Sequence, residues 1–347
     1  MTLNTPIERN DAFEGSLYFS DGHVTQIQVM SNETVLSAAA GYGVMLRSEC
    51  TLGTCGTCKA QCSDGLFELE TDDGLTVMER RRGYVLTCVM HLHSDCRLNF
   101  GYPYSEQAAV KEHYAHGQIQ LIEMVSESVC RLVVSLPSDE AFEFFPGQYV
   151  NVSVPGTIEA RSYSFANSPL CKDSAEFFIR LLEEGAMSNY LRQSAKKGDT
   201  VSLLGPFGSF YLKDMTCPIV MVAGGTGLAP MLSMLDHLVN EGHTEHQVKL
   251  LIGVNRMEDI FCMERLQGYT RSLKSFRYYV AVAEPHPAWE GHTGFVTSML
   301  DEEDIKVGNV DIYVCGPPAM TEATASWLAA HDVSDERIHT EKFSPSC

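Results

Sequence analysis

The sequence predicts a multi-domain chain with three architectures in series: a small α+β unit, an antiparallel β-barrel and a doubly wound parallel sheet. Three observations carry this prediction. The first hundred residues join a strand–turn–strand pattern to a knot of closely spaced cysteines. Beyond about residue 115, short segments of alternating polarity follow one another between turn residues, the pattern of antiparallel strands closing a barrel. From Cys217 onward, continuous apolar runs alternate with helical patterns, as strands covered on both faces must. The expected limits are 1–103, 104–214 and 215–347. A chain of 347 residues with an apolar fraction of 44% suits two or three globular domains.

Taken in order, Gly15–Phe19 and Val24–Val29 flank Asp21-Gly22, a strong hairpin signal. Thr34 is a candidate N-cap for a short helix reaching about Ala40, stopped by Gly41 and Gly43. The cysteine knot then lies in a loop rich in Gly and Thr, and Cys88 follows the apolar run Tyr84-Val85-Leu86. A break is expected over 102–115. The next strands are Arg131–Leu136, Gln148–Val154 and Glu176–Leu181, separated by turns such as Pro146-Gly147 and Pro155-Gly156. Pro218–Ala223 reads as a buried strand, Gly224–Gly227 as a turn and Leu228–Val239 as a helix. Lys249–Val254, Phe276–Val282 and Val310–Val314 read as further buried strands.

The apolar runs are too short to span a bilayer, and no basic flank precedes an apolar stretch at the N-terminus. A cytoplasmic protein with no membrane contact is therefore expected. A net charge of −20 argues against nucleic acid, whose phosphates need Lys and Arg. It leaves two readings open: simple solubility, or an acidic surface that docks on a complementary partner.

The twelve cysteines are more informative. In a reducing compartment, clustered cysteines point to metal binding or catalysis and scattered ones to packing. Cys50-x4-Cys55-x2-Cys58, with Cys88 after twenty-nine further residues, is the ligand spacing of a plant-type [2Fe–2S] cluster. A zinc knot usually pairs two short Cys-x-x-Cys units, and this chain has one. Gly53, Gly56 and the threonines 51, 54 and 57 leave room for backbone N–H groups to reach the sulfurs. Cys62, Cys96, Cys130, Cys171, Cys217 and Cys262 read as small core residues.

Four further motifs stand in the rest of the chain: Arg161-Ser162-Tyr163-Ser164, Gly185-Ala186-Met187-Ser188, Gly224-Gly225-Thr226-Gly227 with Pro230, and Cys315-Gly316-Pro317-Pro318-Ala319-Met320. With them, residues 14–100 resemble a plant-type ferredoxin domain and the remainder resembles the ferredoxin–NADP reductase superfamily. The domain order resembles the reductase components of benzoate dioxygenase and soluble methane monooxygenase. The resemblance spans nearly the whole chain.

That resemblance implies FAD, a [2Fe–2S] cluster held by Cys50, Cys55, Cys58 and Cys88, and NADH as the reductant. On FAD it places Arg161 at the pyrophosphate, where a planar, permanent charge suits phosphate. Tyr163 falls against the isoalloxazine and Ser164 at flavin N5, with Ser162 in the same signature. The strand Ile179-Arg180-Leu181 runs along the ribityl chain, with Ile179 and Leu181 as the expected contacts, and Gly185–Ser188 open a helix at the pyrophosphate. Gly224, Gly225, Thr226, Gly227 and Pro230 would cradle the nicotinamide dinucleotide phosphates. Cys315, Gly316, Pro317 and Met320 fall beside nicotinamide C4. Asp259, with Glu258, suits the free 2′-hydroxyl of NADH, whereas neighbouring Arg256 suits a 2′-phosphate. Glu341 and Phe343 match an acidic-then-aromatic tail that covers the flavin, and Cys347 reads as an exposed thiol. Ser164, Cys315, Glu341 and Phe343 are the expected catalytic set.

The implied function is electron transfer from NADH through FAD and the cluster to an oxygenase component or a small ferredoxin, by a monomer. A flavin is needed because hydride delivers two electrons together and the cluster carries one. The acceptor is either a Rieske-type aromatic dioxygenase or a di-iron hydrocarbon monooxygenase; Glu284–Gly291 and the tail resemble the methane monooxygenase reductase. A reductase of a CDP-deoxysugar pathway shares this domain order, and a plain ferredoxin-like carrier is the reading from another class.

Overall fold

The computed structural model describes residues 12–48, 51–54, 56–104, 113–213, 215–305, 309–334 and 337–343. The chain divides into two compact units, 1–109 and 110–347.

In the first unit, β1 (Ala12–Phe19) and β2 (Val24–Met30) form the expected hairpin, turning through Gly22. Thr34 caps α1 (Val35–Gly41) by accepting from the Ser37 N–H at 3.2 Å. Then follow β3 (Lys59–Asp64), β4 (Phe67–Leu69), α2 (Val77–Arg81), β5 (Tyr84–Leu86), β6 (Met90–Leu92) and β7 (Cys96–Phe100). The five-stranded sheet runs β2-β1-β7-β3-β5, with β1 and β7 parallel and the other pairs antiparallel. Its core gathers Leu17, Ile27, Val29, Val35 and Leu98. A smaller cluster, Leu75, Leu86 and Val89, surrounds Cys58 and Cys88. A capping box starts α2: Glu79 N–H donates to Thr76 Oγ1 at 3.1 Å and Thr76 N–H to Glu79 Oε2 at 2.7 Å. Lys59, next to Cys58, meets Glu79 at 2.6 Å and ties the helix to the cysteine loop.

The second unit opens with β8 (His113–Met124), β9 (Val129–Ser135), β10 (Tyr149–Ser153), β11 (Ala160–Ser164), β12 (Ser174–Arg180), α3 (Ala186–Gln193) and β13 (Thr200–Phe207). The antiparallel sheet runs β11-β10-β13-β8-β9-β12. Bulges in the β8–β9 and β10–β13 ladders bend it toward closure around a core of Leu132, Val134, Val150, Phe165 and Phe177. Its end strands β11 and β12 lie alongside one another without a ladder, so the barrel stays open at that seam.

The chain then forms β14 (Ile219–Gly224), α4 (Leu228–Asn240), β15 (Val248–Val254), α5 (Met263–Ser272), β16 (Phe276–Val282), β17 (His292–Thr293), α6 (Glu302–Ile305), β18 (Asp311–Gly316), α7 (Pro318–Ala330) and β19 (Ile338–Lys342). The sheet β17-β16-β15-β14-β18-β19 is wholly parallel. Helices α4 and α5 pack on one face and α7 on the other, which makes it doubly wound. The strand order reverses between β14 and β18, and ligands of such sheets bind in the crevice at that switch point.

Barrel and parallel sheet share one core. Val129, Ala166, Phe178 and Phe210 of the former pack with Met231, Leu235, Leu250 and Tyr313 of the latter. A polar node adds to it. Arg265 of α5 bonds Glu176 at 2.9 Å, Asp236 at 2.6 Å, the Ala166 carbonyl at 2.6 Å and the Tyr269 hydroxyl at 2.8 Å.

One expectation about the scattered cysteines needs correcting. Cys96, Cys130 and Cys217 are buried, but Cys171 is exposed in the β11–β12 connection and Cys62 and Cys262 are only partly covered. Cys171 sits in a turn closed by its own N–H on Ser168 O at 3.0 Å, so its side chain has no core to enter. Among the described residues no helix is long and apolar enough to cross a membrane.

Candidate active site

Cys50 and Cys55 lie outside the described residues. Cys58, just before β3, and Cys88, just after β5, are buried with their sulfurs 3.2 Å apart. The Thr87 N–H and hydroxyl both donate to the Cys58 carbonyl at 3.1 Å, which fixes the two backbones together. Gly53 has φ +73°, and a Cβ there would lie 2.5 Å from Thr71 Cγ2, so only glycine lets the loop close at this point. Two adjacent buried thiols beneath a tight loop fit one side of a thiolate-held cluster.

In the second unit, β11 pairs with β10 so that Ser164 faces Tyr149 and Tyr163 faces Val150. Ser164 is buried at the strand end, and its hydroxyl donates to Glu341 Oε2 at 3.4 Å. The same oxygen accepts from the Cys315 thiol at 3.6 Å. Cys315 and Glu341 are register partners on β18 and β19. Glu341 thus lies in an edge strand that brings three of the four expected catalytic residues to the switch point, while residues 344–347, Cys347 among them, lie outside the described residues. Phe343 follows, its N–H anchored on Gly316 O at 2.9 Å and its ring packed on the shared core. Burial, then the Glu341 carboxylate, hold the Cys315 thiol well above its ordinary range, so it stays protonated.

The nucleotide loop is equally tight. Gly225–Gly227 form a 3₁₀ turn running straight into α4, where Pro230 is buried in the first turn. A Cβ on Gly227 would fall 2.2 Å from Cys315 O, and one on Gly224 2.7 Å from Met320 Sδ and 2.8 Å from Pro317 Cδ. The Gly224–Gly227 and Cys315–Met320 motifs, nearly a hundred residues apart in sequence, therefore touch directly.

The remaining predicted residues divide. Arg161 bonds the Glu159 carboxylate and donates to Ala160 O at 2.9 Å. Tyr163 packs on the barrel core, its ring 6.3 Å from Phe177, and burial raises its phenol. Ser162 is exposed and donates to Asn151 Oδ1 at 2.7 Å. Ser188 Oγ accepts from Leu182 N–H at 3.0 Å, bracing Gly185 and the start of α3; Ala186 and Met187 pack on the barrel core.

Three of the expected cofactor residues have buried side chains. Ile179 and Leu181 are buried in the barrel core, because side chains alternate along β12 and those two share its inner face. Arg180 between them faces out, and its Nη1 would be 3.7 Å from a Cβ on Gly225, at the nucleotide loop. Asp259, expected to read the ribose, is buried: it accepts from Ser128 Oγ at 2.6 Å and from Arg256 N–H at 3.3 Å. Burial opposes its ionisation, yet Ser128 and Arg256 bond the charged form and keep its carboxyl below the usual range.

The order of architectures along the chain agrees with what it is similar to. Residues 19–93 match the 2Fe-2S iron-sulfur cluster binding domain, 116–211 the oxidoreductase FAD-binding domain and 221–326 the oxidoreductase NAD-binding domain. The toluate 1,2-dioxygenase electron transfer component of Pseudomonas putida is 37% identical over 94% of this chain and 97% of its own. The chain belongs to this family of electron transfer components. Another member, the 2-halobenzoate 1,2-dioxygenase electron transfer component of Burkholderia cepacia, is 36% identical over 95% of this chain and 98% of its own. Among solved structures, an Amycolatopsis cytochrome P450 reductase matches with a TM-score of 0.70 and 27% identity, over 95% of this chain and 99% of that one. As a member of the family the chain is an NAD(H)-dependent flavin oxidoreductase with FAD-, NAD- and [2Fe–2S]-binding domains.

Proposed function

We propose that this electron transfer component oxidises NADH and delivers single electrons to the oxygenase of an aromatic-ring dioxygenase, acting as a monomer in the cytoplasm. The observation that carries this reading is the meeting of Ser164, Cys315 and Glu341 at the switch point, each from a different strand. The similarity to two aromatic-ring dioxygenase components favours that acceptor over a di-iron monooxygenase.

When bound, FAD accepts an electron pair as hydride and releases electrons singly, and the cluster carries one at a time. This chain's residues supply position and charge. Cys58 and Cys88, with Cys50 and Cys55, would hold the cluster. Arg161 would exchange Glu159 for the FAD pyrophosphate, a bidentate acceptor matched to guanidinium geometry. Gly224–Gly227 and the start of α4 would hold the dinucleotide phosphates, with Arg180 adding a positive charge beside Gly225. Ser164, already a donor to Glu341, would present its hydroxyl to flavin N5. Cys315, kept neutral, puts no charge beside the nicotinamide, and Phe343 would cover the flavin until nicotinamide displaces it.

The test is a visible spectrum of the purified protein, followed by titration with NADH and with NADPH. Flavin and [2Fe–2S] bands should both bleach, NADH acting at far lower concentration. Colourless protein, or zinc at the four cysteines, would overturn the reading. Ser164→Ala should slow flavin reduction by NADH roughly tenfold, the scale of one lost hydrogen bond, with the cluster bands unaltered. A hydride-transfer rate equal to that of the parent would take Ser164 out of the mechanism.

A further inference from the structure

The loop after β15 follows the second strand of the doubly wound sheet, where the ribose of the adenine half is expected, and it carries Arg256, a residue suited to a 2′-phosphate. What surrounds that guanidinium comes in part from elsewhere in the chain. The β8–β9 turn of the flavin barrel reaches the loop: Glu127 N–H donates to Glu258 O at 3.4 Å and Ser128 Oγ to Asp259 at 2.6 Å. Leu181 N–H donates to Ser128 O at 2.8 Å, and Ser126 Oγ accepts from Val129 N–H at 3.1 Å, so the turn is held from both sides. It delivers the Glu127 carboxylate to 3.6 Å from Arg256 Nη2, while Asp259 lies 3.4 Å from the same nitrogen.

Arg256 is thereby shared between two carboxylates, one built into its own loop and one supplied by the barrel. Glu258 adds a third, partly exposed and paired with His286 at 3.7 Å. Three carboxylates surround Arg256, and one other guanidinium, that of Arg180, is near enough to act on Asp259. A 2′-phosphate, with close to two negative charges, would have to displace a carboxylate from Arg256 and face the others; a neutral 2′-hydroxyl would not.

We propose that Glu127, a residue of the flavin barrel, is a coenzyme-specificity determinant: it occupies Arg256 and so excludes NADPH in favour of NADH. This rests on placing the ribose at the 255–259 loop. Asp259 then has a positioning part, fastening that loop to the barrel turn that carries Glu127.

The experiment uses the holoprotein with ferricyanide as acceptor, together with binding of 2′,5′-ADP and 5′-ADP measured by calorimetry. In Glu127→Gln the ratio of kcat/KM for NADPH to that for NADH should rise about threefold, the scale of one exposed ion pair. 2′,5′-ADP should tighten by a similar factor and 5′-ADP should not. Glu127→Lys, which adds a cation, should extend the gain. Adding Arg256→Ala to Glu127→Gln should abolish it. An unchanged ratio in both Glu127 variants, or a gain that survives the loss of Arg256, overturns the proposal. If Arg256→Glu alters neither coenzyme's kcat/KM nor 2′,5′-ADP binding, it is the placement of the ribose that fails instead.

Discussion

Cys88→Ala is expected to empty the iron–sulfur centre while leaving flavin reduction by NADH at about the parent rate. Cys88 is buried 3.2 Å from Cys58 among Leu75, Leu86 and Val89, side chains that have no electron pair to offer iron. Loss of one of four thiolates removes both a ligand and the charge that holds the iron. Reduction of cytochrome c, a one-electron acceptor, should fall on the order of a hundredfold, and the cluster's visible bands should vanish. Ferricyanide reduction should persist, because that acceptor can draw on the flavin directly. Cys96→Ala is the matched control, since Cys96 is equally buried in the same unit but in the other core cluster. It should keep its bands. Intact bands in Cys88→Ala would exclude Cys88 as a ligand.

The second large effect is structural. Arg265→Ala would leave Glu176, whose side chain is 9% exposed, with Arg131 alone and Asp236 with the Tyr269 hydroxyl alone, and would strand the Ala166 carbonyl. An orphaned acceptor and two weakened carboxylates cost about 2–4 kcal/mol, a large part of the stability of a typical domain. Urea unfolding of the flavin–nicotinamide unit should show a loss of that size. Arg265→Lys should recover only part of it, because an ammonium cannot bridge two carboxylates, a carbonyl and a hydroxyl at once. Arg131→Ala serves for comparison. Arg131 also reaches Glu176, at 2.6 Å, but its side chain is 37% exposed and Glu176 would keep Arg265. A loss of about 1 kcal/mol is expected there. Equal losses at the two positions would mean that the Arg265 node does not bind barrel to sheet.

Much of this is legible in the residues themselves. Asp21-Gly22 specifies a hairpin, Thr34 a cap, and the apolar runs at 219–224, 248–254, 276–282 and 311–316 a parallel sheet, because each signal acts over a few neighbouring residues. The cysteine spacing and the glycine motifs are legible for the same reason. Side-chain direction is less so. The strand 179–181 reads as lining the flavin, but which of its side chains turn inward is settled only by packing: Ile179 and Leu181 are buried and Arg180 is exposed. The expectation for Asp259 rests on its acidity, its place after the second strand and a resemblance, none of which says that Ser128, 131 residues earlier, bonds the carboxylate. Cys171 looks like the other scattered cysteines until a turn places it at the surface.

By itself the amino-acid order determined the three architectures, their succession and the chemistry of the thiolate and glycine motifs, all of them consequences of local spacing. Only the tertiary structure decided that barrel and parallel sheet share a core, that Glu341 stands between Ser164 and Cys315, and that Glu127 reaches Arg256. Those contacts join residues from 26 to 177 positions apart, or bridge the barrel and the sheet. They arise from the burial of apolar faces on separate elements, a non-directional force that no short stretch of sequence encodes.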